Sequence, residues 1–365
     1  MRLALIAPPW FPVPPPAYGG TEAVVALLAD GLAERGIDVN LFASGDSTTS
    51  AKLEYVHPTA RSVDIGQTSP ELEHVLACLS QADEFDLVHD HSGLLALTVA
   101  GSIRTPFVHT AHGPMTGRSG VLYAAAAQYN PAASLISLTH AQRKGAPHLP
   151  WIANCPNAID VESFPFRADH DGYAAFLGRM SPEKGADRAI ELARLAGVEL
   201  RIAAKCREPA ERAFFDARVR PHLGPGVEYL GELDHADKAV LLRDARVLLA
   251  PIEWEEPFGL VFAEAAACGT PVLATRRGSV PEVVIDGVTG FVRDTVEELV
   301  DAFELLDSLD PHAIRCHAER RFAPGRMVSD YLAAYSLVLH DAGEPVAASP
   351  PRGKRKRGAA RATPL

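Results

Sequence analysis

A chain of 365 residues, 47% hydrophobic and 22% charged, is long enough for two domains, each with its own core. The net charge is −11, but residues 351–365 carry six basic side chains (Arg352, Lys354, Arg355, Lys356, Arg357, Arg361) and no acid, so the other 350 residues combine 29 basic with 46 acidic groups. So acidic a body argues against a nucleic-acid enzyme, though not against nucleotide ligands, which a few local groups can hold.

Residues 1–7 form a short apolar run that Pro8-Pro9 cuts off. It is too brief for a signal peptide or a spanning helix and reads as a first strand. Further strands are expected at 39–43, 87–89, 107–110, 135–138 and 151–153, with helices near 22–35 and 71–82. Strand and helix alternating at this interval predict a doubly wound parallel sheet, with ligand sites in the loops after the strands. The first such loop is proline-rich and closes with Tyr18-Gly19-Gly20-Thr21-Glu22 at a helix start. Glycines there can cradle an anion, or simply make a turn. No G-x-G-x-x-G is present, which argues against a nicotinamide dehydrogenase.

Two histidine groups close successive strands: His89-Asp90-His91, and His109-Thr110-Ala111-His112-Gly113. Imidazole and carboxylate together suit zinc or manganese, a catalytic or binding histidine, or a set of histidines that satisfy backbone carbonyls. The residue types leave all three open. Asp169-His170-Asp171 has D-x-D spacing but sits in a linker ahead of a strand, where it reads as solvated.

A second alternating unit begins near residue 169. A strand at 173–178 leads into the loop Arg179-Met180-Ser181-Pro182-Glu183-Lys184-Gly185, from which Arg179 and Lys184 can reach one phosphate group. Elements at 200–204, 209–222, 227–230, 236–244 and 247–250 follow. Lys205, just after a strand, reads as a phosphate contact or, by slight preference, a surface lysine. Next comes Pro251 and an acidic loop containing Glu256. A short helix then opens at Phe258-Gly259, carries Glu264 and stops at Gly269. Glu256 and Glu264 lie eight residues apart, about two helical turns, so both carboxylates can face one cleft. Carboxylates match the vicinal hydroxyls of a ribose or hexose. Gly259 allows close backbone approach, and the helix it opens points free N–H groups and a positive dipole end at any phosphate there.

Taken together, Glu256-Pro257-Phe258-Gly259, Glu264, Gly269-Thr270-Pro271-Val272, Gly278-Ser279-Val280-Pro281-Glu282 and Asp286-Gly287-Val288-Thr289-Gly290 resemble the donor-site signature of the family 4 retaining glycosyltransferases of the GT-B fold. Arg179 and Lys184 match that family's diphosphate clamp, Tyr18 to Glu22 its glycine loop, and Val108 to Gly113 the segment whose histidine, here His112, lies beside the reacting sugar. Two departures stand out. Gly278-Ser279 replaces a Gly-Gly pair, so a left-handed conformation at Ser279 would be strained, and Ala158 replaces glycine in the turn Asn157-Ala158-Ile159-Asp160.

The resemblance implies an α/β protein of two Rossmann-like doubly wound parallel-sheet domains facing across a cleft. They would span residues 1–165 (acceptor side) and 166–323 (donor side), followed by a helix over 324–341 crossing back and a disordered basic tail over 342–365. It implies a metal-independent retaining transferase with no cofactor, moving a sugar from a nucleotide-diphosphate-sugar to a hydroxyl acceptor that is a glycan, a lipid-linked molecule or a small molecule. The catalytic set would be His112, Arg179, Lys184 and Glu256. Donor contacts would come from these cations and Glu256, with Gly19, Gly20, Phe258, Gly259, Leu260, Glu264, Gly278 and Ser279. Asp90 and His91 would be further cleft residues.

Cysteines Cys78, Cys155, Cys206, Cys268 and Cys316 are scattered, with no C-x-x-C spacing. They suggest neither a disulfide framework nor a zinc site, and point to a reducing cytoplasm. The tail's charge allows a weak peripheral membrane contact. No nucleic-acid partner is expected. Two other classes remain: a metal-dependent hydrolase built on His89, His91, His109 and His112, and a non-catalytic nucleotide-sugar binding protein.

Overall fold

The computed structural model describes residues 1–343. The expected tail begins inside the last helix, which continues to Gly343, and its basic residues lie outside the described residues. Seven strands form the first sheet: β1 Arg2–Ile6, β2 Asp38–Phe42, β3 Lys52–Glu54, β4 Leu87–Asp90, β5 Phe107–Thr110, β6 Ser134–Ser137 and β7 Trp151–Asn154. Six form the second: β8 Ala174–Arg179, β9 Leu200–Lys205, β10 Val227–Gly231, β11 Val247–Ala250, β12 Val272–Thr275 and β13 Gly290–Arg293. Every strand pairing is parallel. The spatial orders are β3-β2-β1-β4-β5-β6-β7 and β10-β9-β8-β11-β12-β13.

Helices cover both faces of each sheet, so the central strands are apolar runs buried on both sides, as in Leu3 to Ile6 or Val247 to Ala250. In each sheet the order reverses between the strand that comes first in sequence and a later neighbour, β1 beside β4 and β8 beside β11. Loops leaving these strands diverge there and open a crevice at the carboxyl ends. The two crevices face one another. Three strands did not stand out in the sequence. β3 is a short edge strand, Lys-Leu-Glu, without an apolar run. β12 and β13 lie within the glycine-rich signature stretch.

The last helix, Pro324–Gly343, belongs spatially to the first domain. Met327, Val328 and Ala334 pack with Leu28 and Leu32 of the helix Gly20–Glu34. Tyr331 and Tyr335 are fully buried. The Tyr335 hydroxyl lies 2.7 Å from Nδ1 of His89 on β4, and that of Tyr331 lies 3.2 Å from Oγ1 of Thr110 on β5. Arg326 donates to the carbonyls of Pro156 and Asn157 at 2.7 and 2.9 Å, which ties the helix to the turn containing Ala158. Ala158 needs no left-handed backbone there, because every positive-φ residue among those described is a glycine.

Tyr335→Phe should expose what this tie contributes. It leaves a buried imidazole nitrogen without its partner, which costs ~1–3 kcal/mol. Urea denaturation should show a lower midpoint with an unchanged slope; an unchanged midpoint would mean that the hydroxyl does not hold the helix in place.

Candidate functional site

A cavity of about 470 Å³ lies between the two domains at the facing crevices. Most of the residues singled out in the sequence line it: Gly19, Gly20, His112, Arg179, Lys184, Glu256, Phe258, Gly259, Leu260 and Glu264. The elements explain the convergence. Arg179 ends β8, and Lys184 sits in the turn that follows it. Glu256 lies in the loop after β11, and Glu264 stands on the helix Leu260–Cys268 that this loop opens. His112 comes from the other domain, two residues past the end of β5.

Each cation of the cavity has an acidic partner. Lys184 Nζ donates to Glu256 Oε2 at 2.5 Å, and the same oxygen accepts from Trp254 Nε1 at 3.1 Å. The Trp254 ring also lies 4.4 Å from the ammonium, a favourable cation–π placement. Arg179 donates to Glu183 at 2.6 Å, and Lys238 donates to Glu264 at 2.6 Å. Lys205 is the correction to the surface reading. Its side chain is only 5% exposed, it lines the cavity, and its ammonium meets Glu208 at 2.5 and 2.6 Å and Glu211 at 3.1 Å. A buried ammonium needs such partners. Glu208 and Glu211 supply them by forming a capping box at the start of the helix Pro209–Phe214.

Gly278 and Ser279 take a different place from the lining residues. Gly278 N–H donates to Glu255 Oε2 at 2.9 Å, Ser279 N–H to the Glu256 carbonyl at 2.8 Å, and Ser279 Oγ to the Phe258 carbonyl at 2.9 Å. The pair clasps the loop carrying Glu256 from behind. Ser279 is right-handed, at φ −73°. The left-handed residue is Gly278 at φ +51°, and a Cβ there would come within 2.4 Å of the Glu256 backbone. Serine in place of the second glycine thus introduces no strain.

The histidine groups divide. His89 is bonded at both ring nitrogens, to Tyr335 and Thr110, and so is His109, to Asp90 Oδ2 at 2.6 Å and Tyr123 at 3.1 Å. Asp90 is wholly buried and further held by Ser92. It is not a cleft residue, and neither is His91, which lies behind His112. Among the described residues no group of three His, Cys, Asp or Glu side chains is placed to hold a metal. The hydrolase alternative finds no support in this arrangement.

A profile for glycosyl transferases group 1 matches residues 161–320, and one for Glycosyltransferase Family 4 matches residues 18–162. The chain belongs to the family 4 glycosyltransferases. A glycogen synthase of Mycobacterium tuberculosis is 32% identical over 277 residues, a stretch that spans 67% of this chain and 65% of that enzyme. A phosphatidyl-myo-inositol mannosyltransferase of Mycobacterium leprae is 28% identical over 385 residues, covering 93% of this chain and 97% of its own. Among solved structures, AviGT4, a glycosyltransferase involved in avilamycin A biosynthesis, superposes with a TM-score of 0.71 at 28% identity, covering 93% of this chain and 98% of that one. The fold is GT-B.

Within this family 4 chain, the structure adds three partnerships that the sequence signature did not show. Trp254 holds both members of the Lys184–Glu256 pair. Lys238 balances Glu264 from a helix 26 residues upstream. Glu282 reaches across the cleft and accepts from the N–H groups of His140 and Ala141 at 2.9 and 2.6 Å, while Thr139 donates to the Pro257 carbonyl at 3.0 Å. Trp254, two residues before Glu256 in an acidic loop, carries a local signal, and Glu282 closes the signature run that begins at Gly278; Lys238 carries none.

Two outcomes follow from this geometry. Gly278→Ala must push the Glu256 loop forward, so it should destabilise the fold by about 1–3 kcal/mol and lower nucleotide affinity, checked by calorimetry; unaltered affinity would mean that the clasp does not set the loop. Glu22, in the first turn of the helix Gly20–Glu34, is buried, and burial lifts its carboxyl from the ordinary 4.5 to about 7. The folded state therefore holds this proton more tightly than the unfolded chain. The resulting stability is complete below pH 4.5 and lost as pH rises through 7, about 3 kcal/mol in all. Glu22→Gln should flatten the stability profile between those pH values, measured by denaturant titrations across the range; a profile parallel to that of the parent protein would contradict it.

Proposed function

We propose that this chain transfers a sugar from a nucleotide-diphosphate-sugar to a hydroxyl acceptor, with retention of configuration at the anomeric carbon. The observation that carries the reading is the meeting, in one cavity, of Arg179, Lys184, the free N–H groups at the start of the helix Leu260–Cys268, and the carboxylates Glu256 and Glu264. Cations and helix N-terminus suit a diphosphate, and the carboxylates on either side suit polyhydroxylated rings. Glu264 takes the ribose and Glu256 the donor sugar, while His112 meets the sugar from the opposite wall. The named relatives act on different molecules, so the acceptor is left as a hydroxyl compound.

In the reaction the bond between the anomeric carbon and the diphosphate oxygen breaks, and its electron pair stays with the diphosphate. An acceptor oxygen bonds to the anomeric carbon on the same face, and the departing phosphate oxygen takes the acceptor's proton. Negative charge grows on the leaving group, so Arg179, Lys184 and the helix N–H groups hold the transition state more strongly than the ground state. In this reading they take the part that a metal plays in other transferases, and no cofactor is used. Lys184 is presented to the cleft by Glu256 and Trp254 and turns from Glu256 toward the phosphates as the donor binds. Closure of the two domains excludes water that would hydrolyse the donor. No described helix is long and apolar enough to cross a membrane, and the five cysteines are unpaired, in keeping with work in a reducing cytoplasm.

The test is a thermal-shift screen with UDP, GDP, ADP and their sugar conjugates, with and without chelator. Ligand at a hundredfold its dissociation constant adds ~2.7 kcal/mol of stability, so one nucleotide series should raise the midpoint whether or not chelator is present. Glu264→Ala should then weaken donor binding by ~1–3 kcal/mol. If no nucleotide shifts the midpoint and chelator lowers it, the transferase reading fails. Donor binding without turnover across varied acceptors would favour the non-catalytic binding module instead.

A further inference from the structure

His91 and His112 sit just beyond the ends of neighbouring strands, β4 and β5, whose register pairs Asp90 with His109. This register sets the two rings beside each other. Nδ1 of His91 lies 2.7 Å from Nε2 of His112, with ring centres 5.0 Å apart. His112 lines the donor cavity. His91 does not; it is 2% exposed, packed 4.2 Å from the His89 ring and 6.0 Å from that of Tyr331, and its Nε2 is buried without a hydrogen-bond partner.

One proton must lie between two nitrogens that close. Both imidazoles are neutral: burial lowers His91 well below the ordinary value and brings His112 down to about 3. A neutral imidazole carries one N–H, so only two arrangements exist. In the first, His112 donates from Nε2, and the single proton of His91 must sit on its own Nε2, a buried N–H with no acceptor. In the second, His91 donates from Nδ1, and its Nε2 keeps only a lone pair. An orphaned buried N–H is rarer and costlier than an under-used acceptor. The second arrangement wins, and it assigns the proton of His112 to Nδ1.

We propose that His91 is a positioning residue that locks His112 in the Nδ1–H tautomer, so that the wall of the donor cavity offers the sugar a hydrogen-bond donor and not a base. With Nε2 filled by the His91 N–H and Nδ1 protonated, His112 has no lone pair with which to take the acceptor's proton. That proton goes to the leaving phosphate oxygen. The functional half of this inference rests on the transferase reading; the tautomer does not.

The experiment therefore has two arms. In the first, the full chain is labelled with ¹⁵N-histidine, and the ring resonances are assigned by single His→Gln variants and recorded without nucleotide. His112 is expected to show a protonated Nδ1 and a bare Nε2, and His91 the same pattern. A protonated Nε2 on His112 overturns the proposal, whatever the enzyme's activity. In the second arm, kinetics use whichever nucleotide-sugar the screen identifies. His91→Leu removes the N–H and should lower kcat by about 10- to 100-fold with little change in KM for the donor. His91→Asn places an amide N–H near the position of Nδ1 and should stay within about threefold of the parent. Leu and Asn variants of equal kcat would overturn the positioning role, as would a folded Leu variant with parental kcat. If His91→Leu does not fold, the tautomer arm and a parental kcat in His91→Asn still decide. Absence of any transfer, with the expected tautomer, would sink the transferase reading and leave the lock standing.

Discussion

Several cations cannot be gathered in a half-desolvated cleft unless each is compensated, and that requirement shapes the site. Arg179, Lys184, Lys205 and Lys238 all line one cavity, and each has a carboxylate within hydrogen-bonding distance. The pairs are also ties. Lys184–Glu256 joins the turn after β8 to the loop after β11, Lys205 with Glu208 and Glu211 closes the loop after β9, and Lys238–Glu264 joins two helices. The network that makes these cations tolerable in the cleft also sets the shape of its walls. Breaking one member would leave a poorly solvated charge behind, which is costlier than losing an exposed pair.

A second level of organisation holds the two domains in register around that network. Thr139 and the backbone after it belong to the first domain, yet they bond to Pro257 and Glu282 of the second. The last helix returns to the first domain and seats Tyr331 and Tyr335 beneath β4 and β5. The loop carrying Glu256 is thus clasped from behind by Gly278-Ser279 and from across the cleft by Thr139. A motif that reads as a ligand-binding loop is in part a splint.

The histidines show how one residue type divides under burial. His89 and His109 spend both ring nitrogens inside the fold. His112 keeps a face on the cavity, and His91 lies between the two situations, with one nitrogen engaged and one not. Four imidazoles at adjoining strand ends suggest a metal centre only while their partners are unseen. Tyrosine hydroxyls from residues 123 and 335, and Asp90, account for much of the set.

Much of the fold was legible because period and punctuation are local. Buried parallel strands are apolar runs, and they alternate with helical segments at regular intervals, so two doubly wound units could be read from residues 3–250. β3 escaped because an edge strand needs no apolar face. The motif residues Arg179, Lys184, Glu256 and Glu264 were readable as a set because their runs resemble the family 4 signature; spacing alone made a shared cleft possible without deciding it. What the sequence could not supply is partnership between distant segments. Whether Lys205 faces solvent or Glu211, whether Ser279 meets a ligand or the Phe258 carbonyl, and which histidine touches which all depend on side chains that approach only after the sheets form. Local pattern determined the fold class, and the motifs' resemblance to the family 4 signature determined the kind of protein and pointed to residues that line one cavity. The pairing of charges and the tautomer of His112 were decided by tertiary structure, because burial and distance exist only once the chain has folded.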